Sequence, residues 1–145
     1  MTEIRELFEG QTELAAPPLL VLRPRWGSIE AIVDLVDNRL RPTGYRIAGI
    51  FDGEHDAAVT VIGFREMWTS AWGHLVYVDD VSTLPDARGR GHADQMLTWV
   101  EDEARRLGCT AVHLDSGVAA DRAPAHRLYM RHHMAITAHH FERAL

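Results

Sequence analysis

The sequence predicts a single α/β domain over residues 1–145, with a mixed, mostly antiparallel central sheet flanked by helices. Three observations carry this. Runs rich in β-branched and aromatic residues follow one another between residues 45 and 83 with short turns between them, the pattern of an antiparallel meander. An amphipathic helix pattern from Ala93 to Leu107 comes directly after them. Beyond it, strand, helix and strand patterns alternate with no linker, internal repeat or low-complexity tract.

Each element has its own signal. Thr2 to Phe8 alternates weakly and reads as a first strand. Leu14 to Leu22 is apolar around Pro17-Pro18, which suits a helix that begins near those prolines. Ser28 is a favourable N-cap with Glu30 in the first turn, and Ile29, Ile32, Val33, Val36 and Leu40 follow at helical spacing until Pro42 and Gly44. Tyr45–Phe51, Ala57–Met67 and His74–Thr83 are the strands of the meander, with turns at Asp52-Gly53 and at Trp68–Gly73. In the long helix Ala93, Met96, Leu97, Val100, Ala104 and Leu107 share one face, and Gly108 supplies a C-terminal cap. Thr110–Ser116 then reads as a strand, Pro124–His132 as a helix, and Ala135–Arg143 as a terminal strand.

Composition narrows the function. The formal charge is −6, which opposes a dedicated nucleic-acid binder. All 15 basic residues are arginine, so lysine Schiff-base chemistry and a lysine-bearing phosphate loop are both excluded. The single cysteine, Cys109, cannot form an internal disulfide or a CxxC zinc site. No apolar run is long enough to span a bilayer, and the acidic start MTEIRELFEG does not resemble a signal peptide. The expectation is a cytoplasmic protein with no membrane partner.

The most informative stretch is Val78–Leu97. Gly89 and Gly91 let the backbone of Arg88-Gly89-Arg90-Gly91-His92-Ala93 turn tightly and approach a ligand with no Cβ in the way. The helix that follows points its free N–H groups and positive dipole end at the same place, a site for an anion such as a pyrophosphate. A dinucleotide fingerprint would need a third glycine where Asp94 stands, and a parallel βαβ unit in place of a meander.

Arg88-x-x-Gly91-x-Ala93, with Pro85 three residues upstream, resembles the Q/R-x-x-G-x-G/A motif of the GCN5-related N-acetyltransferase (GNAT) superfamily. Ala125-x-x-Leu128-Tyr129 is similar to the signature on the family's last helix, and the order of elements agrees over nearly the whole chain. The resemblance implies a GNAT-like fold and an acetyl-CoA site. Backbone groups of Val81, Ser82 and Thr83 would bond the pantetheine arm. The motif Arg88, Gly89, Arg90, Gly91, His92, Ala93 and Asp94 would hold the pyrophosphate. Arg122 stands where the family often has an asparagine touching the cofactor, and would reach a phosphate instead. His133-Met134 replaces the usual Gly-Phe after the tyrosine helix.

The reaction so implied is acetyl transfer from acetyl-CoA to a primary amine by direct attack. An alkyl ammonium needs a base to remove a proton, and the departing thiolate needs an acid. The resemblance assigns the acid to Tyr129. Asp79 is the favoured base and Asp80 the partner of the substrate ammonium, with the reverse also open. In a regular strand their side chains would point to opposite faces, so both reach one site only across a bulge. The acceptor is expected to be a small-molecule amine, its specificity set by residues 11–44 and 68–73. A protein N-terminus or lysine, or a non-catalytic acetyl-CoA sensor, are the alternatives.

The other chemistry-bearing residues are assigned structural parts. No metal is expected, because the adjacent histidines near the C-terminus would point to opposite faces of a strand. His113 and His126 are auxiliary-base candidates that suit structural roles better. Cys109 is expected to be buried and inert, and Trp68 and Trp72 are the tryptophans best placed to line a substrate cleft. The terminal strand ending at Leu145 could pair across a homodimer.

Overall fold

Strand pairing follows chain order. In the computed structural model, which describes residues 1–145, β1 (Glu3–Leu7), β2 (Arg46–Phe51), β3 (Thr60–Thr69), β4 (Gly73–Thr83) and β5 (Ala111–Leu114) form one sheet in that order. The pairings of β1 with β2, β2 with β3 and β3 with β4 are antiparallel. The chain makes two compact units, Met1–His113 and Leu114–Leu145.

In the first unit the sheet has an apolar side chain on each face of its central strands. Leu7, Ile47 and Val61 pack with Leu19 of α1 (Ala16–Leu22) and Ile32 of α2 (Ile29–Leu35). Residues of the opposite parity, Ile62 and Phe64, are also fully buried. On that side α3 (His92–Leu107) packs against β2, β3 and β4, and Phe64 meets Trp99 edge-on at 5.8 Å. Burying a side chain of this size contributes about 1.5–3 kcal/mol, so this two-sided core is what holds the sheet to its helices.

The helices begin where the sequence signals lie. Pro17 and Pro18 occupy the first turn of α1, where their missing N–H groups cost nothing. Ser28 Oγ accepts from Ala31 N at 3.1 Å to cap α2. The regular helix predicted to Leu40 ends at Leu35, and the chain continues as a π turn (Val36–Leu40) and a 3₁₀ turn (Arg41–Thr43). Arg41 pins this irregular end by bonding Asp37, the Thr12 hydroxyl and the Leu7 carbonyl.

Two strand boundaries differ from expectation. Asp52-Gly53 does not make a two-residue hairpin: Asp52 Oδ1 accepts from Glu54 N and His55 N, and a longer connection delays β3 to Thr60. At its other end β3 runs to Thr69, so Trp68 is a strand residue paired with His74.

In the second unit a 3₁₀ turn (Ala120–Arg122) leads into α4 (Ala123–Arg131), with Pro124 in its first turn. The N–H groups of His132, His133 and Met134 bond back to Leu128, Met130 and Tyr129 carbonyls, and His133 adopts a left-handed φ of 60°. The predicted strand Ala135–Arg143 is absent: these residues have no regular structure, with Ile136 79% and Phe141 92% exposed. Ile136 and Phe141 have opposite parity, so an extended strand here would offer no apolar face to bury.

Candidate active site

A β-bulge builds the site. On β3 Gly63 pairs with Asp80 and the next residue, Phe64, pairs with Val78, so Asp79 is an extra residue on β4. The bulge shifts the phase of the strand by one residue and turns both carboxylates to the side of α1. Asp79 and Asp80 accordingly line one cleft of about 340 Å³, together with Arg23, Arg25, Trp26 and Arg65. The condition that the sequence set for both aspartates to share a site is met.

The two carboxylates are held differently. Asp80 Oδ1 accepts from Arg23 Nε at 2.9 Å and Oδ2 from the Tyr45 hydroxyl at 2.7 Å. Asp79 Oδ2 accepts from Arg65 Nε at 3.0 Å, and its backbone carbonyl accepts from Arg23 at 3.1 Å. Burial raises the pKa of Asp79; Arg65 opposes the shift and the neighbouring Asp80 charge adds to it. A carboxyl so placed is a stronger base than an exposed one. Tyr45 is raised well above its ordinary value, first by burial and then by Asp80, so it stays a phenol and a donor.

Gly63 fits this arrangement in a way that only glycine can. A Cβ there would lie 1.9 Å from the Tyr45 hydroxyl oxygen. The ring of Tyr45 therefore lies directly over the strand at the bulge, and its closeness to Gly63 aims the hydroxyl at Asp80.

Beyond the bulge, β4 leads to the glycine loop. Thr110 donates its N–H and its hydroxyl to the His74 carbonyl, at 2.9 and 3.1 Å, where β5 joins β4. The four residues of β5 span about 13 Å, so they cannot reach the edge of β4 past Val78. The outer edge at Val81–Thr83 is left without a strand, while the inner edge pairs with Thr60–Ile62. Gly89 and Gly91 both have φ of 78°, and a Cβ on either would meet nothing within 4 Å. No side chain caps α3 at Gly91. Arg88 bonds the Thr83 carbonyl and Arg90 the Asp86 carbonyl, both on exposed parts of the loop.

These features suit the pyrophosphate and arm of coenzyme A. The glycine loop is open, its helix start takes no side-chain cap from Gly91, and the adjoining strand edge is unpaired. His92, on the first turn of α3, is buried with both ring nitrogens unbonded by the chain. That orphaned polarity is a further sign of a site shaped for a polar guest.

The remaining sequence-predicted residues are distributed as follows. Tyr129 is half-buried on α4, and Arg122 is half-buried in the turn before it; both belong to the second unit. His126 Nε2 lies 2.7 Å from the Gly117 carbonyl, a local structural contact. Trp68 stacks on His74 and Trp72 on His113, so neither tryptophan lines the cleft. Trp26 does, and residues 11–44 supply most of the cleft wall. Cys109 is neither buried nor remote from other ligating groups, since Glu66 and His74 lie beside it. Arg23, Tyr45, Gly63 and Arg65 carry no motif and were not anticipated; only the bulge explains why they converge.

The pattern of the acetyltransferase (GNAT) family matches residues 3–134, and the chain belongs to that family. It is 32% identical over 68 residues to the aminoalkylphosphonate N-acetyltransferase of Salmonella typhimurium, a match that takes in 47% of this chain and 43% of that protein. The fold is similar to that of a ribosomal-protein-alanine N-acetyltransferase from Brucella melitensis biovar Abortus 2308, with a TM-score of 0.81, 18% identity and 100% of both chains covered. It is likewise similar to an aminoglycoside N-acetyltransferase in complex with CoA, with a TM-score of 0.80, 15% identity, 100% of this chain covered and 95% of the other. At these identities the two solved structures speak to fold alone.

Proposed function

We propose that the chain is an acetyl-CoA-dependent N-acetyltransferase, acting as one domain, whose acceptor is the primary amine of a small molecule that also bears an anionic group. The observation that carries this reading is the bulge, which sets a base of raised pKa in a cleft on the strand that leads to the glycine loop. Acetyl-CoA supplies the acetyl thioester. Asp79 takes a proton from the acceptor ammonium through the oxygen that Arg65 leaves open to the cleft. Asp80 has both oxygens bonded, so it fixes Tyr45 and Arg23 and draws the ammonium by its charge rather than by direct contact. Tyr129 returns a proton to the departing thiolate, a role supported by its place in the Ala125-x-x-Leu128-Tyr129 motif. Backbone groups of Val81–Thr83 hold the arm, Arg88–Asp94 the pyrophosphate, and Arg122 a phosphate.

The anionic half of the acceptor falls to Arg25. Of the three arginines lining the cleft, Arg23 is committed to Asp80 and Arg65 to Asp79, whereas Arg25 lies over the Trp26 ring at 5.1 Å. A guanidinium without a carboxylate partner suits a phosphonate or carboxylate. The relative named for aminoalkylphosphonates points to the same acceptor class.

Thiol release with acetyl-CoA and a panel of aminoalkylphosphonates, amino acids and simple alkylamines tests this. Turnover is expected with the acidic amines, and Arg25→Ala should raise KM for them about ten-fold while leaving simple amines unchanged. Tyr129→Phe should depress kcat with little effect on CoA binding. CoA binding without thiol release from any amine would instead indicate a sensor. Full turnover in both Tyr129→Phe and Asp79→Asn would overturn the mechanism.

A further inference from the structure

At the other end of the β3–β4 hairpin, three ligating side chains meet that no part of the acetyl-transfer site uses. We propose that Glu66, His74 and Cys109 bind one Zn²⁺ ion, which ties the hairpin to the turn after α3. One donor atom from each residue lies within 4.8 Å of the others. His74 Nε2 and Glu66 Oε2 are joined by a hydrogen bond of 2.5 Å, which the metal would replace by parting them to about 3.3 Å. Along β4 Asp80 lies six positions from His74, a distance of about 20 Å, so this cluster is distinct from the cleft.

The geometry has the marks of a preset ligand group. Glu66 and Trp68 share one face of β3, and His74 pairs with Trp68 across the hairpin. The Trp68 and His74 rings are stacked with 4.4 Å between centroids and no tilt, which fixes the imidazole plane. Gly108 ends α3 in a left-handed conformation, with φ of 81°, and turns Cys109 toward that face. Thr110 then clamps the segment by its two hydrogen bonds to the His74 carbonyl. The backbone of one ligand is thus tied directly to the residue that follows another.

The donor set selects the metal class. A thiolate, an imidazole and a carboxylate are ligands for Zn²⁺, while Mg²⁺ and Ca²⁺ require oxygen donors throughout. Zinc bonds of about 2.0–2.3 Å would draw the widest pair of donors together by roughly 1 Å. The Cys109 thiol and the hydrogen bond between His74 Nε2 and Glu66 each give up a proton, to solvent or to His74 Nδ1, as the metal bonds form, and a water completes the fourth position. With its ligands from two strands and a helix-end turn, the ion acts as a cross-link of the first unit.

Titration of the reduced full-length chain with Co²⁺, in the absence of CoA so that Cys109 is the sole thiol, reads the site directly. One equivalent should give a thiolate-to-cobalt charge-transfer band that Zn²⁺ abolishes by displacement. Cys109→Ser should lose the band, and His74→Gln and Glu66→Gln should each weaken metal binding at least ten-fold. Zn²⁺ should also slow alkylation of Cys109 in the natural chain and not in His74→Gln, a readout that stands even if Cys109→Ser fails to fold. Absence of the band at one equivalent, or equal affinity in the natural chain and His74→Gln, would overturn the proposal and assign any bound metal to the other histidines.

Discussion

The Tyr45 hydroxyl donates to Asp80 Oδ2 at 2.7 Å, across 35 residues of sequence, from a ring that is almost wholly buried. It joins the start of β2 to the bulge in β4, and it leaves Asp80 with both oxygens bonded. Tyr45→Phe keeps the ring over Gly63 and removes only this donor. A hydrogen bond to a buried charged group contributes about 1.5–3 kcal/mol, so urea unfolding should show a loss in that range. Affinity for CoA should not change, because the proposed pyrophosphate loop Arg88–Asp94 is untouched. Unchanged stability would mean that Arg23 alone holds Asp80.

Gly63→Ala puts a methyl carbon where the Tyr45 hydroxyl lies, and the buried ring has no room to retreat. Overpacking of this kind costs about 1–3 kcal/mol. The double variant Gly63→Ala/Tyr45→Ala should be more stable than the sum of the single losses implies, since each change relieves the other. Additive losses in a double-mutant cycle would refute the contact.

Asp79 gives the chain a pH dependence of definite sign. Its raised pKa means that the folded state holds the proton more tightly than the unfolded state. Between the ordinary carboxyl value and the raised one, the contribution of Asp79 to stability is therefore lost as pH rises. Asp79→Asn should abolish that decline in denaturation midpoints measured across the acid range. In the proposed reaction the deprotonated form is the active one, so kcat/KM should rise with pH through the raised value. Asp79→Asn should remove this limb along with most turnover. A limb that survives in Asp79→Asn would place the base elsewhere.

His133 holds a left-handed backbone with φ of 60°, at the position where the sequence motif suggested a glycine. A side chain with a Cβ is strained there by roughly 1–2 kcal/mol. His133→Gly should raise the melting temperature, with a net gain of about 0.5–1 kcal/mol once the added freedom of the unfolded glycine is subtracted. A lower melting temperature would show that the imidazole makes a contact worth more than the strain.

The order of elements, the glycine loop and the helix after it were legible because each rests on local rules: β-branched runs, helical spacing, proline at a first turn and glycine at a left-handed cap. The bulge was not legible. Nothing in Val78-Asp79-Asp80-Val81 distinguishes a regular strand from one with an extra residue; the shift appears only when β3 is paired against it. Everything that depends on the bulge was hidden for the same reason, including the convergence of Arg23, Tyr45 and Arg65. The expected terminal strand Ala135–Arg143 fails because its large apolar residues, Ile136 and Phe141, would fall on opposite faces. Cys109 has no acid or histidine beside it in sequence; its ligating neighbours are brought from 35 and 43 positions away by the hairpin.

The extra residue in β4 divides the strand into two reading frames. Up to Val78 the side chains alternate in one phase against β3, and from Asp80 onward they alternate in the other. Removing Asp79 itself would leave Val78 opposite Phe64 and Asp80 opposite Gly63, so both halves would keep their faces and only the bulge would be lost. Replacing Asp79 leaves both ladders where they are. Position 79 therefore lies outside both ladders, so the charge at the head of the cleft can be rewritten without disturbing the sheet beneath it.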